Sequence, residues 1–506
     1  RGQGRSTPYA RSANNQLVHG FRSIESLRQA PCSQLSSMAH RLAVTRTRNV
    51  PLLQAISQVA QECLPGFNHT QLCQMLWAYA KIDVRDASLF RAVATTLEPQ
   101  LDRLGGKEMS NMLWAMAKTG YKDEALFLAA ARVVIHRTDP HSDRPSSYSA
   151  RDLSSIIWAF GCADMRHAEL FVAVEDAAVQ CGLTGYNWQD LLTMLSAYTL
   201  LRVRADALFT AVAEKAMDCG MENVSPRDTA NMLAAFATCR TRAHAVFAAA
   251  AEAAVRVELR GFNMADICQL VWAFAVADVV AQPLFDAVGR VLAHASSHGL
   301  DAAAMTQLYQ WQTWLRLAGV PGPRLPTALQ AACRVPLQRG GGRSSSRFHQ
   351  SVAGVVVEVL AGEAMCHEYF EPETCYTVDI AWPSVRLALE VDGPRHFLSS
   401  CRHPSLRTTD GPSGLKQRLL KLAGWRVISV PYFDWWDAVE RGGQLGYLRQ
   451  LVQPAGPPLP LVPPTTTQPS SPPPADVSRQ ASWPASQPLL ATAFGSSAIS
   501  ASSSVG

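Results

Sequence analysis

Met75-Leu76-Trp77-Ala78-Tyr79-Ala80 opens a series that returns as MLWAMA (112–117), IIWAFG (156–161), MLSAYT (194–199), MLAAFA (232–237) and LVWAFA (270–275). The third residue of each string serves as a reference: Trp77, Trp114, Trp158, Ser196, Ala234 and Trp272. A phenylalanine stands 13 residues beyond it every time, at Phe90, Phe127, Phe171, Phe209, Phe247 and Phe285. Successive references lie 37, 44, 38, 38 and 38 residues apart, and a degenerate seventh unit puts Gln310 another 38 further on. The long interval takes up a polar insert at 136–149, as a surface loop would. Each unit reads as helix, turn, helix, with apolar residues recurring at helical spacing on both sides of a polar break such as Lys81-Ile82-Asp83. One such hairpin cannot bury its own apolar face, so neighbours must stack. The expectation is an α-solenoid of about seven hairpins over residues 51–330.

A 38-residue period carrying an (L/M)LWA(aromatic)A core resembles the octotricopeptide repeat of green-algal organelle proteins and is similar to the repeats of the FASTK family. The resemblance implies single-stranded RNA bound along the solenoid.

Aligned first helices give columns that can be judged chemically. The two positions before the reference are apolar in every unit, the second position after it is mostly aromatic, and the tryptophans read as packing. Three before the reference the series is Gln74, Asn111, Ser155, Thr193, Asn231, Gln269 and Gln307, always an uncharged hydrogen-bonding group of varying identity. Such groups could read the edges of unstacked bases, or could bond between adjacent units. Six before the reference stand Gln71, Glu108, Asp152, Asp190, Asp228 and Asp266, which read as first-turn acids or caps. An alanine follows each reference position and is expected to leave room beside the column.

The remainder is organised around this array. Residues 1–48 hold eight arginines and a single acid, Glu25, the composition of an organellar transit segment or of a basic disordered leader. Residues 335–347, with the run GGGRSSSR, read as a linker, and residues 453–506, rich in Pro and Ser, as a disordered tail. The net charge is only +5 in 506 residues, so nucleic-acid contact must come from local patches. Twelve scattered cysteines without a CxxC pair point to a reducing compartment and against structural zinc. No apolar run is long enough to span a bilayer, and the absence of Walker A or dinucleotide glycine patterns leaves no nucleotide, flavin or haem expected as cofactor.

Between linker and tail, residues 348–452 predict a helix (348–360), strands at 366–370, 376–382 and 385–391, a loop, a helix (414–423), a strand (425–431) and a closing helix from Asp434. The strings VDIAW (378–382), LALEVDGPRHF (387–397) and LKQRLLKLAGWRVISVPYFDW (415–435) resemble the RAP domain. That domain is similar in turn to very-short-patch-repair-like members of the PD-(D/E)xK nuclease class, which implies a small α/β fold. The resemblance also implies that Asp379, Glu390 and Asp392 stand where catalytic metal ligands would be, with Asp379 and Glu390 holding Mg²⁺. The usual lysine two residues after the glutamate is replaced by Asp392. Arg395, His396, Lys416 and Arg418 could instead clamp RNA phosphates.

The reading is an organellar RNA-binding protein of chloroplast or mitochondrion, soluble and without a membrane partner, acting in RNA stability, processing, translation or rRNA maturation. Two alternatives are a metal-dependent endoribonuclease that cuts with the RAP-like module, and a structural subunit of an organellar ribosome or ribonucleoprotein.

Overall fold

The computed structural model describes residues 24–142, 148–339, 346–359, 364–403 and 405–453. Part of the expected leader (1–23), the middle of the insert, most of the glycine-rich linker and the tail from 454 lie outside the described residues. Two compact units emerge: Arg1–Ala332 with Phe397–Leu415, and Cys333–His396 with Lys416–Gly506. No described helix is long and apolar enough to cross a membrane.

The first unit contains the repeats. Their first helices are His69–Lys81, Gly106–Thr119, Ala150–Ala163, Trp188–Leu200, Pro226–Thr238, Met264–Ala277 and Ala302–Leu317. Each of the first six is followed by a second helix, beginning with Ala87–Leu97 and ending with Gln282–Leu292. The acidic column has a local purpose. Asn68 with Gln71, Ser149 with Asp152, Asn187 with Asp190 and Asn263 with Asp266 form reciprocal capping boxes, each satisfying two backbone N–H groups that a helix start leaves open. Six residues after the reference, the chain turns through the left-handed region in each of the first six units: Asp83, Gly120, Asp164, Arg202, Arg240 and Asp278 have φ between 54° and 75°. Only one of these is glycine, so the turn is held by packing on both sides more than by residue preference.

First helices pack on the first helices of neighbouring units and second helices on second. Between the layers runs a ladder of rings. Phe127 meets Phe160 of the next unit at 5.1 Å, Phe171 meets Tyr198 at 5.0 Å, Phe209 meets Phe236 at 5.9 Å and Phe247 meets Phe274 at 5.1 Å, mostly edge to face. Where the second unit has Met116 instead of a ring, Tyr121 from the turn lies 6.0 Å from Phe90. The Tyr198 hydroxyl donates to the Phe171 carbonyl at 2.7 Å, deep in the core. The alanine column leaves no open space, contrary to the expectation: Ala78, Ala115, Ala159, Ala197 and Ala273 are fully buried, because small residues let adjacent helices approach. At Gly161 an added Cβ would come within 2.9 Å of the Ala197 Cα.

The array also starts earlier than residue 51. Cys32–Val44 and Val50–Glu62 form a further hairpin in which His40 occupies the reference position, Leu53 the phenylalanine position and Arg46 the left-handed turn at φ 53°. Leu35, Met38, Ala39 and Leu42 are buried, and the Tyr79 hydroxyl donates to the Leu53 carbonyl at 2.5 Å. Helical structure therefore occupies the second half of the expected leader. At the other end, helix Thr327–Arg339 runs into the expected linker.

A second departure concerns residues 397–415, expected as a loop and the start of the helix 414–423 inside a contiguous 348–452 module. They pack with the repeats. Strand β1 (Val203–Arg204), in the turn of the fourth unit, pairs in parallel with β5 (Phe397–Ser400), which pairs antiparallel with β6 (Arg407–Thr409). Arginines of three successive turns hold this ribbon: Arg166 donates to Ser399, Arg202 pairs with the buried Asp410 at 2.6 Å, and Arg240 donates to the Thr409 carbonyl at 3.3 Å. Arg402 reaches back to Glu175 and Asp176.

The second unit is a four-stranded sheet in the order β2 (Cys366–Phe370), β3 (Thr377–Trp382), β4 (Leu387–Asp392), β7 (Arg426–Pro431); only the β4–β7 pair is parallel. Its core face carries Ile380, Trp382, Leu389, Val391 and Val430 against Val352, Val356, Trp435 and Leu448 from helices Arg347–Val359, Tyr432–Glu440 and Gln444–Val452. The strands and helices stand close to their expected positions, with one closing helix more than expected.

Two outcomes are expected. Phe171→Ala, at the centre of the ring ladder, should lower stability by about 3–5 kcal/mol, read as a drop in urea midpoint. Arg202→Ala strands the Asp410 carboxylate, a change that typically costs about 3–5 kcal/mol. Hydrogen exchange should therefore speed up over 397–409 with the repeat helices still protected.

Candidate functional site

Positions −7, −3, 0 and +4 from the reference fall on one stripe of each first helix. In the earliest units this stripe is aromatic and cationic. Lys81 Nζ lies 5.9 Å from the Trp77 ring centre, the His40 ring is 5.5 Å from Trp77, and Trp114 stacks on Trp158 at 6.4 Å with 26° between planes. Trp77 and Trp114 are half-buried, whereas Lys107, Lys118 and Arg151 are exposed. Burial lowers the Lys81 pKa, and Arg46, Arg151 and Lys118 lower it further, which places four cations in one electrostatic neighbourhood. Burial and then Lys107 act on His40 in the same direction. None of these cations is assigned an RNA contact by the sequence, where Lys81 reads only as part of a polar break, although lysine recurs four residues after Trp77 and after Trp114 and gives a signal that could be read.

The predicted base-reading column divides. Gln74, Asn111, Ser155, Thr193 and Gln307 keep partial exposure. Asn231 and Gln269 are buried, and Gln269 donates to the Asn231 side chain at 3.0 Å, an inter-unit bond. Gln74 accepts from Ser36 of the preceding hairpin at 3.3 Å. A parallel bond joins the reference column in the late units, where Trp272 donates to Gln310 at 2.8 Å.

In the second unit, Asp379 stands one position beyond the β3–β4 pair Ile380–Leu389, which puts it opposite Glu390 across the strands. Asp379 Oδ2 accepts from the Val391 N–H at 2.7 Å. Glu390 is buried and pairs with Lys416 at 2.5 Å; burial raises its pKa to about 7 against the pull of Lys416. Burial opposes the Lys416 charge, but Glu390, Asp379 and Asp392 together raise its pKa. Asp392 accepts from Ser429 and lies 3.6 Å from His396. The three predicted acids are thus brought together, with Lys416 held among them and mostly buried. Arg395 is exposed, while His396 and Arg418 are half-buried.

Comparison with known proteins fits this division. Residues 389–451 match the model of the RAP domain, and residues 128–294 match that of the RNA-editing substrate-binding complex 6 protein. Over 135 residues, 26% of the chain, it is 30% identical to a chloroplastic RAP domain-containing protein of Oryza sativa subsp. japonica, covering 20% of that relative. Over 86 residues, 13% of the chain, it is 33% identical to the mitochondrial FAST kinase domain-containing protein 3 of Homo sapiens, covering 12% of it. This is a helical-repeat protein related to RAP-domain and FAST-kinase-domain proteins of organelles. Of the two curated relatives one is chloroplastic and the other mitochondrial, and the model matched by the repeats is that of a protein of an RNA-editing substrate-binding complex. The chain spans a fifth or less of the length of these curated relatives. The RAP match takes in Glu390, Asp392 and Lys416 but begins after Asp379, and the repeat match begins after Lys118.

In the RAP-like module, Lys416→Met should leave Glu390 buried without its cation and cost about 3–5 kcal/mol. A thermal melt of the variant beside the wild type measures it. An unshifted transition of the module would mean that Glu390 sits there protonated.

Proposed function

We propose that this chain binds single-stranded organellar RNA along the stripe of its first helices and acts on the stability, processing, translation or rRNA maturation of a transcript without cutting it. The observation that carries this reading is the cluster of Arg46, Lys81, Lys107, Lys118 and Arg151 around His40, Trp77, Trp114 and Trp158. Backbone phosphates take the cations, and half-open indoles take the faces of bases, a combination that suits single strands. Partly exposed members of the amide and hydroxyl column, such as Asn111 and Thr193, then stand one turn from the stacked bases and read their edges. Asn231 and Gln269, bonded to each other, serve the stacking of the units. On this reading the repeats are of octotricopeptide type, and the C-terminal module is a PD-(D/E)xK-like fold whose Arg395 and His396 contact phosphate. The Lys416–Glu390 pair under the sheet supports a structural use of its acids over a hydrolytic one.

Selection from a random single-stranded RNA pool, followed by binding measured against salt, tests the proposal. Lys81→Ala and Lys118→Ala should each weaken binding across all sequences and flatten the slope of log affinity on log salt by about 0.7. Trp77→Ala should cost about 1–3 kcal/mol of RNA affinity. Asn111→Ser should change the base preferred at one position, whereas Asn231→Ser should change stability alone. No enriched motif, together with unaltered binding in both lysine variants, would remove the reading.

A further inference from the structure

The strongest unexplained constellation lies at the β2 edge of the second unit. Pairs His367–Ile380 and Tyr369–Val378 set the register of β2 on β3, so Glu368 and Asp379 stand directly opposite one another. Two carboxylates in that position repel, and Glu368 adopts φ 48°, a backbone conformation costly for a side chain inside a strand. Above them, helix Arg347–Val359 delivers His349, whose side chain is 7% exposed. Its Nδ1 lies 3.7 Å from Glu368 Oε1, too far for a hydrogen bond, and ligand atoms of His349, Glu368 and Asp379 all fall within 4.8 Å of one another.

A second observation stands apart from this trio. Glu390, the next residue across the sheet from Asp379, is 3% exposed, and while its Oε2 takes Lys416, its buried Oε1 has no hydrogen-bond partner among the described residues. A third carboxylate with unsatisfied acceptor capacity therefore extends the row Glu368, Asp379, Glu390. A cation held by the trio offsets part of the negative charge that this row collects.

We propose that His349, Glu368 and Asp379 bind one divalent transition cation of the Mn²⁺ or Zn²⁺ class. One imidazole and two carboxylates suit first-row transition ions, whereas Mg²⁺ and Ca²⁺ favour all-oxygen shells. The second ring nitrogen of His349 is already engaged: Nε2 lies 3.4 Å from His367 Nδ1, the kind of outer contact that fixes which nitrogen of a ligating histidine faces the metal. The bound ion ties helix Arg347–Val359 to β2 and β3 and offsets the repulsion between the opposed acids. It lies outside the Glu390–Lys416 pair and needs neither of them as a ligand.

Titration of Co²⁺ into the reduced full chain tests this, because the visible bands of Co²⁺ report nitrogen and oxygen ligands and its ultraviolet charge transfer reports thiolates. Expected are visible bands saturating at one equivalent without thiolate charge transfer, displacement by Zn²⁺ and by excess Mn²⁺ but not by equal Mg²⁺, and a melting temperature raised by the ion. His349→Ala and Glu368→Gln should each weaken binding roughly 100-fold or more, and His367→Ala roughly 10-fold. Glu368 lies at the rim, so its variant keeps the test valid if His349→Ala does not fold. Absence of bands, bands dominated by thiolate charge transfer, equal displacement by Mg²⁺, or binding unchanged in Glu368→Gln would each overturn the proposal.

Discussion

Everything in the repeat unit follows from one contact, the ring in each second helix against the next first helix. Phe127, Phe171, Phe209 and Phe247 each reach a ring two residues after the reference of the following unit. This contact joins layers and neighbours at once, so the distance along the chain from reference to phenylalanine cannot change without moving a ring out of its slot. That is the physical content of the constant 13-residue spacing. The interval between units can lengthen where added residues fall outside the packed layers, as the polar insert at 136–149 does. The one long interval bears this out, with Phe127 and Phe160 in contact across it.

The same ladder decides which face of the first helix stays open. At about 100° per residue, position +2 points nearly opposite to the reference, whereas −7, −3, 0 and +4 share a stripe about 60° wide. Rings and paired apolar residues occupy the buried half, and the alanine at +1 lies between the two faces, where adjacent helices meet. Its size is set by that approach, which is why it leaves no cavity beside the column.

Much of this was legible because it is periodic. Hairpins, core columns and capping acids recur, and recurrence separates them from chance. The N-terminal hairpin was missed because it keeps the geometry but not the letters: His40 replaces the tryptophan, Leu53 replaces the phenylalanine, and arginine-rich flanks mask the helix. The ribbon of residues 397–409 was missed for a different reason. A two-residue strand in a turn has no periodicity, and the arginines that hold the ribbon, Arg166, Arg202 and Arg240, come from the turns of three separate units. In the second unit, the strands stand close to where alternation and turn residues put them, but the partnership of Lys416 with Glu390 and the approach of His349 to Glu368 depend on packing between elements distant in sequence.

A chain with net charge +5 must concentrate its cations to hold a polyanion, and the stripe shows where. In the first three units its −7 and +4 positions include Lys107, Arg151, Lys81 and Lys118; in the fourth to sixth they include Gln189, Ala265, Leu200, Thr238 and Val276, with Arg227 the one cation. Exposure changes in step. The column and the reference are half-open at Gln74, Trp77, Asn111 and Trp114, but buried at Asn231, Ala234, Gln269 and Trp272, where Gln269 bonds to Asn231 and Trp272 to Gln310 of adjacent units. Polar groups closed off from water must find partners within the protein, and groups left at the surface need not. The repeat therefore uses one column for two purposes according to position. On the proposed reading, a strand of RNA is anchored electrostatically by the early units, while the late units contribute rigidity.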